Sequence, residues 1–274
     1  MYYWRTDLRL DSLERRFLSQ YHISKVYCRY FDVVMTDDGP MPNATITFTD
    51  TLPAGVEMVP TVYITEDCMH QRHDSLAAQL VRRILQMNET NDIRSVRELQ
   101  IDCDYTARSR QRYYDFLKEV KSQLATLHPS RAPSVTSVLR PSAPFTLSTT
   151  IRLHQLSMTP PPVDYGVLMV YNTGDPRRFT ERNPVLDMRD VAPYLRYLAD
   201  YSLPMGAAYP VFLWQRTIAG VSVEHPVSAD EILRVKQTLE QRRPELSRLI
   251  LTYHLDKENI LRYQPDTYEA IYHH

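Results

Sequence analysis

Short runs rich in β-branched and aromatic residues alternate with longer helical patterns along most of this 274-residue chain. About eight such runs occur, and alternation of this kind predicts a parallel sheet with helices crossing between neighbouring strands. Right-handed crossovers can wrap such a sheet into a barrel, and the chain is close to the roughly 250 residues typical of that architecture. The sequence therefore predicts an α/β fold of the (β/α)8 TIM-barrel type, with residues 1–274 forming a single domain.

The predicted strands are short and most are bounded by turn-forming residues. In chain order they span residues 2–4, 25–34, 59–65, 98–104, 147–154, 166–171, 210–216 and 249–253. Residues 38–57 are rich in Pro and Thr and show no helical periodicity, so the helix after the second strand is expected to be missing or replaced. The predicted barrel is therefore somewhat irregular at this point.

Composition and motifs argue against several classes of protein. The 32 basic and 33 acidic residues give a net charge of −1, which provides no long-range attraction for nucleic acid. The chain has six glycines and contains neither GxGxxG nor GxxxxGK[ST], the usual phosphate-binding loops. Its three cysteines form no CxxC pair, and its nine histidines form no HExxH motif. We therefore expect neither a cofactor nor a bound metal.

The sequence contains no apolar run of the roughly 18 residues that a membrane span requires. It also shows no signal-peptide pattern. We therefore expect no membrane span. The compartment stays open, because a leader already removed from the chain would make the protein exported or periplasmic. The oligomeric state is open as well.

Functional side chains of a TIM barrel lie where its strands end. In the fourth predicted strand, Gln100, Asp102 and Asp104 share one face, because side chains alternate along a strand. The intervening residues are apolar and should pack against helices, so the two carboxylates should face the barrel axis. Carboxylates two residues apart lie about 7 Å from each other, and their repulsion would raise one pKa unless a cation intervenes.

The fifth predicted strand provides a candidate cation. Thr150, Arg152 and His154 share a face by the same alternation, and neighbouring strands lie about 4.8 Å apart. Arg152 or His154 can therefore reach Asp102 or Asp104, and we predict that these four titratable groups converge in one pocket. Two interpretations stay open, namely structural Asp–Arg pairing inside a barrel and a ligand site.

Further polar and aromatic residues lie at other predicted strand ends. Glu66, Asp67 and Asp175 are candidates for a second carboxylate across the cleft, although residues in such positions are more often solvated loop carboxylates. Trp214 could stack on a ligand ring or fill the core. The candidate ligand-binding residues are Arg29, Asp32, Glu66, Arg152, Tyr171, Asn172, Trp214, Arg216 and Tyr253.

Residues 99–106 (LQIDCDYT), followed by YDFLKE at 114–119, resemble the fourth strand and helix of the family-18 glycoside hydrolases, the chitinases and their relatives. Those proteins carry D-x-x-D-x-D-x-E there, followed by a helix that often reads Y-x-x-F-L-x-E-L. Residues 167–172 (VLMVYN) are also similar to their sixth strand. The chain looks, in addition, like uncharacterised bacterial barrel proteins with a Q-I-D-x-D fourth strand.

The resemblance implies a TIM barrel that acts on or binds a carbohydrate. It places Asp102 and Asp104 on two aspartates of the family motif, and Thr106 on the glutamate that protonates the leaving oxygen. Thr106 cannot donate a proton near neutral pH, so we expect no family-18-type chitinase activity. If the chain is a hydrolase, Asp104 is the expected proton donor or base, Asp102 is its electrostatic partner, and Arg152 and His154 tune their pKa values.

Two alternatives to a glycoside hydrolase stay open. A barrel that binds glycans without catalysis is favoured by Thr106. A metal-assisted hydrolase of another class is favoured by His154 and His254, which lie close to predicted strand-end aspartates.

Overall fold

The computed structural model describes residues 1–94, 96–127, 145–174, 182–218 and 221–273. Eight parallel strands, hydrogen-bonded in chain order, form a nearly closed barrel, which confirms the predicted fold. The amide of Leu255 donates to the carbonyl of Tyr2 over 2.8 Å and links the last strand to the first. The barrel strands are Tyr2–Tyr3, Lys25–Thr36, Glu57–Ile64, Glu98–Asp102, Thr146–Arg152, Tyr165–Met169, Met205–Pro210 and Ile250–Tyr253.

Helices surround the barrel, although residues 188–201, whose sequence pattern predicts one continuous helix, form several short pieces. Pro193 lies in the 3-10 turn between two of these pieces, and proline lacks the amide hydrogen that a continuous helix needs. Among the described helices, none is both long and apolar enough to cross a membrane. The helices are Ser12–Gln20, Leu76–Thr90, Arg110–Thr126, Met188–Val191, Leu195–Leu198, Ala229–Arg242, Lys257–Ile260 and Pro265–Tyr272.

The segment after the second barrel strand is irregular, as predicted. The described residues 37–56 contain no helix. Instead, Gly39–Asn43 pairs antiparallel with the second strand, and Thr47–Phe48 pairs with Asp7–Leu8. A bulge between Arg29 and Phe31 shifts the register of the second strand against the third. The bulge brings Arg29 and Asp32, which are three residues apart, to the same side of the strand.

The prediction of the seventh strand at 210–216 is wrong. The barrel strand is Met205–Pro210, and Trp214–Ile218 forms a separate antiparallel hairpin with Val221–His225. A Cβ atom at Gly206 would lie only 2.7 Å from the Cβ of Leu249, so this strand needs small residues to approach the eighth. Small residues have weak strand propensity. The neighbouring segment 210–216 contains more aromatic residues and therefore gives the stronger strand signal in the sequence.

The barrel interior is polar along the fourth strand. Glu98 accepts hydrogen bonds from Lys25 Nζ over 2.8 Å and from Ser148 Oγ over 2.7 Å. Gln100 accepts one from the hydroxyl of Tyr2 over 2.8 Å. These contacts confirm that the alternate residues of this strand face the axis. Together with Asp102, the last residue of the strand, Glu98 and Gln100 form a row of polar side chains that reaches the C-terminal end of the barrel.

Candidate functional site

Asp102 is the last residue of the fourth barrel strand and is only 3% exposed. Thr150 Oγ1 donates to its carboxylate over 2.6 Å, and Arg152 Nη2 donates over 3.1 Å, both from the fifth strand. Burial raises the pKa of Asp102 and outweighs the opposing effect of Arg152. The predicted contact between Asp102 and Arg152 is therefore confirmed.

Arg152 joins the two aspartates, because its Nε donates to Asp104 while its Nη2 contacts Asp102. Burial alone would lower the pKa of Arg152, but the two carboxylates raise it well above its usual value. The side chain therefore stays a guanidinium cation. Its third nitrogen, Nη1, is buried and has no hydrogen-bond partner among the described residues. A buried donor without a partner costs free energy, so Arg152 Nη1 is a costly feature of the cluster.

Two of the predicted members of this cluster lie elsewhere than expected. The fourth strand ends at Asp102, so Asp104 follows it in a loop, where its side chain is 49% exposed. The fifth strand ends at Arg152, because the side chain of Gln155 accepts the Arg152 amide hydrogen over 2.8 Å and bends the chain into a 3-10 turn. His154 is exposed on that turn, so the prediction that it joins the cluster is wrong.

Aromatic rings surround the cluster at the ends of the first, sixth, seventh and eighth strands. Tyr253 is central, with ring centroids 4.9 Å from Tyr171, 5.5 Å from Phe212 and 5.5 Å from Trp4. Trp4, Phe212 and Tyr253 are partly exposed. We use the name "mouth" for the set of Trp4, Arg29, Asp32, Tyr63, Asp102, Asp104, Arg152, Tyr171, Phe212 and Tyr253.

A second ion pair lies on the other side of the mouth. Arg29 Nε donates to Asp32 over 2.7 Å, and the guanidinium carbon lies 5.7 Å from the ring centroid of Trp4. Tyr63, on the third strand, has a pKa raised to about 12 by burial and by the negative charges of Asp104 and Asp102. Its hydroxyl therefore keeps its proton at neutral pH and can donate a hydrogen bond.

Three mouth residues were missing from the candidates, namely Trp4, Tyr63 and Phe212. Trp4 follows Tyr2 by two residues and Tyr63 follows Thr61 by two, so period-two alternation could have found both. Phe212 could not be found in this way, because it lies beyond a strand whose position was predicted wrongly.

Glu66 links the loops that follow the third and fourth strands. Its Oε1 accepts hydrogen bonds from Thr106 Oγ1 over 2.6 Å and from Ser109 Oγ over 2.7 Å. Burial acts to raise the pKa of Glu66, but these hydroxyls and the nearby His70 outweigh it, so the pKa is lowered. The ionised carboxylate thus fixes the loop that carries Asp104.

We expect Glu66→Gln to destabilise the protein by about 1 kcal/mol at pH 7, because two hydrogen bonds to a charged group lose strength. The native pKa of Glu66 lies below that of the unfolded chain, so this stabilisation is present above about pH 4.3 and is lost as the pH falls further. Urea unfolding at several pH values measures the effect. Glu119→Gln, at an exposed pair with Arg72, is the control and should change little. Equal losses in both variants would contradict the proposed link.

The remaining candidates lie in other surroundings. Trp214 belongs to the hairpin rather than to a barrel strand, and its ring stacks on His225 with centroids 5.4 Å apart. The backbone of Arg216 lies in the same hairpin, and its side chain is outside the described part of the structure. Asn172 is exposed, with a φ of 53° that asparagine tolerates well. Asp175 lies outside the described residues.

Among the described residues, no group of three or more His, Cys, Asp or Glu side chains is placed to hold a metal ion. His254, which suggested metal chemistry, packs against the ring of Tyr253 with centroids 5.1 Å apart. Burial lowers its pKa. The described residues therefore provide no set of ligands for the metal-assisted hydrolase considered above.

Comparison with known proteins gives no matching family model and no matching curated protein, but it does give solved structures of the same fold. A chitinase from Chromobacterium violaceum ATCC 12472 is 10% identical, with a TM-score of 0.56 over 98% of this chain and 97% of that chain. A GH18 chitinase from Cycas revoluta in complex with (GlcNAc)3 is 9% identical, with a TM-score of 0.62 over 94% of this chain and 95% of that chain.

The same fold also occurs in a xylanase-A-amylase inhibitor protein. It is 10% identical, with a TM-score of 0.53 over 98% of this chain and 96% of that chain. Such low identities establish the fold alone. The resemblance of the sequence to family 18 is therefore confirmed at the level of the fold. This glycoside-hydrolase-like barrel occurs in the two chitinases and in the inhibitor protein.

Proposed function

We propose that this chain binds a neutral glycan at the mouth of its barrel and does not hydrolyse chitin. The observation that carries the proposal is the Arg152 guanidinium, whose Nη1 has no hydrogen-bond partner among the described residues and which lies beside partly exposed aromatic rings. A sugar presents hydroxyl groups at its edge and C–H groups on its face. It can therefore accept a hydrogen bond from the guanidinium while its face packs on Trp4, Phe212 or Tyr253.

The charges of the mouth favour a neutral ligand over an anionic one. Arg29 is paired with Asp32, and Arg152 is shared between Asp102 and Asp104. Two cations thus face three carboxyl groups, so an acidic sugar would be repelled by the carboxylates around the two guanidinium groups. Uncharged hydroxyl or amide groups can bind Arg152 Nη1 without breaking either pair.

The comparisons support the choice of a first probe. The Cycas revoluta chitinase is described in complex with (GlcNAc)3, so oligomers of N-acetylglucosamine are the natural neutral sugars to test. The protein of the same fold that is described as an inhibitor supports a barrel that acts by binding.

The geometry around Thr106 supports the expected lack of chitinase activity. Its hydroxyl donates to the ionised Glu66, and a threonine hydroxyl cannot protonate a leaving group near neutral pH. Asp104 accepts a hydrogen bond from Arg152 Nε, so part of its carboxylate is already engaged by the guanidinium.

Calorimetric titration with N-acetylglucosamine trimer, combined with an assay for newly formed reducing ends, tests this proposal. We expect saturable binding to the wild-type chain without turnover. Robust hydrolysis of the trimer that disappears in Asp104→Asn would overturn the non-catalytic assignment. A lack of binding by the trimer and by a panel of other neutral oligosaccharides would overturn glycan binding itself.

A second candidate is hydrolysis of a different glycosidic linkage with Asp104 as acid or base. It is favoured by the exposure of Asp104, whose side chain is 49% exposed, whereas that of Asp102 is 5% exposed. Such a mechanism needs a second carboxyl group. Glu66 and Asp67 are both held by hydroxyl groups of neighbouring residues. Turnover on a panel of aryl glycosides, lost in Asp104→Asn, would favour this candidate.

A further inference from the structure

A groove of about 390 Å³ lies on the outside of the barrel, between the helices Leu76–Thr90 and Arg110–Thr126. We call it the outer groove. It shares no residue with the mouth, so it is a separate feature of the molecule. Its volume falls within the range of about 300–1,000 Å³ that small-molecule sites occupy.

The floor of the outer groove is apolar. Cys68 and Met69 end the 3-10 turn that follows the third barrel strand, Leu76 begins the next helix, and Phe116 comes from the helix after that. All four side chains line the cavity although each is at most 6% exposed, which places them at its base rather than at its rim. An apolar group that covers this floor leaves water, and that burial favours binding.

The rim of the outer groove is charged. Arg112, Asp115 and Glu119 lie on one face of their helix, because residues three, four and seven apart fall on the same side. Lys118 Nζ lies 2.9 Å from Asp115, and Arg72 Nη2 lies 3.4 Å from Glu119. Each of the two carboxylates on the rim is therefore already paired with a cation.

Arg112 is the cation that remains. Its side chain is exposed and makes no hydrogen bond or ion pair with any described residue. Arg72, by contrast, also lies 2.5 Å from Asp74 through its Nε. His73 Nε2 belongs to the lining as well, and this buried atom has no hydrogen-bond partner in the described part of the chain. The outer groove thus offers a ligand one uncompensated positive charge and one buried imidazole nitrogen.

We propose that the outer groove binds a small amphiphilic monocarboxylate, whose carboxylate pairs with Arg112 and whose apolar body lies on the floor between Leu76 and Phe116. A guanidinium matches a carboxylate with two parallel N–H donors, and the imidazole of His73 can donate a further hydrogen bond. The single uncompensated charge favours a monoanion, because a phosphate dianion would bring a second negative charge beside the two carboxylates of the rim. The inference goes beyond glycan binding at the mouth and does not depend on it.

The probes are benzoate, 3-phenylpropanoate and hexanoate, each compared with its neutral amide and with acetate, which has the charge without the apolar body. Methyl-labelled methionine makes the site visible by NMR, because Met69 lies in the floor whereas Met205 lies in the seventh barrel strand. We expect the acids to shift the Met69 signal saturably with a Kd of about 1 mM or tighter, and to leave Met205 unchanged. The amides and acetate should bind at least about tenfold more weakly.

Two arginine variants test the role of Arg112. In Arg112→Gln, we expect the acids to bind about tenfold more weakly and the amides to bind as before, because the charge that distinguishes them is gone. Arg82→Gln is the matched control, since Arg82 is an exposed arginine of the helix Leu76–Thr90 that does not line the groove. Both side chains are exposed, so both variants should fold, and Arg82→Gln should bind the acids like the wild type.

Four outcomes would overturn the inference. Equal binding of acids and amides would show that Arg112 contributes nothing, and equal binding of acetate and the larger acids would show the same for the floor. Binding that Arg112→Gln does not weaken, or that leaves the Met69 signal in place, would put the ligand elsewhere. Failure of all three acids to bind at about 10 mM would overturn the site itself. Each of these results leaves glycan binding at the mouth untouched.

Discussion

Replacement of Arg152 by methionine is expected to lower the free energy of unfolding by about 3 kcal/mol at pH 7, because breaking a buried ion pair leaves an uncompensated charge. The charge is that of Asp102, whose side chain is only 5% exposed and would keep Thr150 as its hydrogen-bond donor. Asp104 is half exposed and would be solvated by water, so it should contribute little to the loss.

The destabilisation of Arg152→Met should depend on pH in a definite direction. The native pKa of Asp102 is already raised, and loss of the guanidinium raises it further. Because its native pKa is raised, Asp102 contributes most to stability at pH values below its pKa in the unfolded chain, which is about 3.9. This contribution falls as the pH rises through the native pKa of Asp102. Relative to the wild type, the variant should therefore lose more stability at about pH 8 than at about pH 5.

Urea unfolding of both proteins at these two pH values measures the effect. The control is Arg94→Met, which removes an exposed pair with Asp92 and should cost less than about 1 kcal/mol at either pH. Equal costs for the two variants, or a cost for Arg152→Met that grows on acidification, would contradict a buried ion pair at the end of the fourth strand.

Replacement of Asp104 by asparagine should separate binding from stability. We expect glycan affinity to fall by about ten- to a hundredfold, because a carboxylate acceptor of sugar hydroxyls is lost and Arg152 is left with one charged partner. Because the Asp104 side chain is 49% exposed, we expect the free energy of unfolding to change by less than about 1 kcal/mol.

Titration with N-acetylglucosamine trimer and urea unfolding of the same preparations check both halves of this prediction. Asp115→Asn is a suitable control, since it removes an exposed carboxylate paired with Lys118 on an outer helix. If Asp104→Asn lowered stability strongly and left affinity unchanged, the cluster would be a purely structural feature of the barrel.

The barrel could be predicted because each strand is a separate signal, and an error in one leaves the others in place. The seventh strand was misplaced because close packing against Leu249 requires Gly206 and small neighbours, and such residues do not show strand propensity. The broken helix near Pro193 reflects a local constraint that hydrophobic periodicity over 188–201 does not reveal. The prediction of one domain over residues 1–274 stays a prediction.

The central pair of the candidate site could be predicted because it depends only on strand alternation and on neighbouring strands. Asp102 and Arg152 both lie within their strands, and the structure brings them together. Asp104 and His154 lie beyond strand ends, where alternation no longer applies. The turn that displaces His154 depends on a side-chain contact of Gln155 that the sequence pattern does not contain.

The most direct test of the account is a crystal structure of the chain soaked with N-acetylglucosamine trimer. We predict a sugar in the mouth, with one ring face against Trp4 or Tyr253 and an oxygen at about 3 Å from Arg152 Nη1. An empty mouth at saturating sugar would contradict the account. So would a sugar bound only in the outer groove of about 390 Å³ between the helices Leu76–Thr90 and Arg110–Thr126.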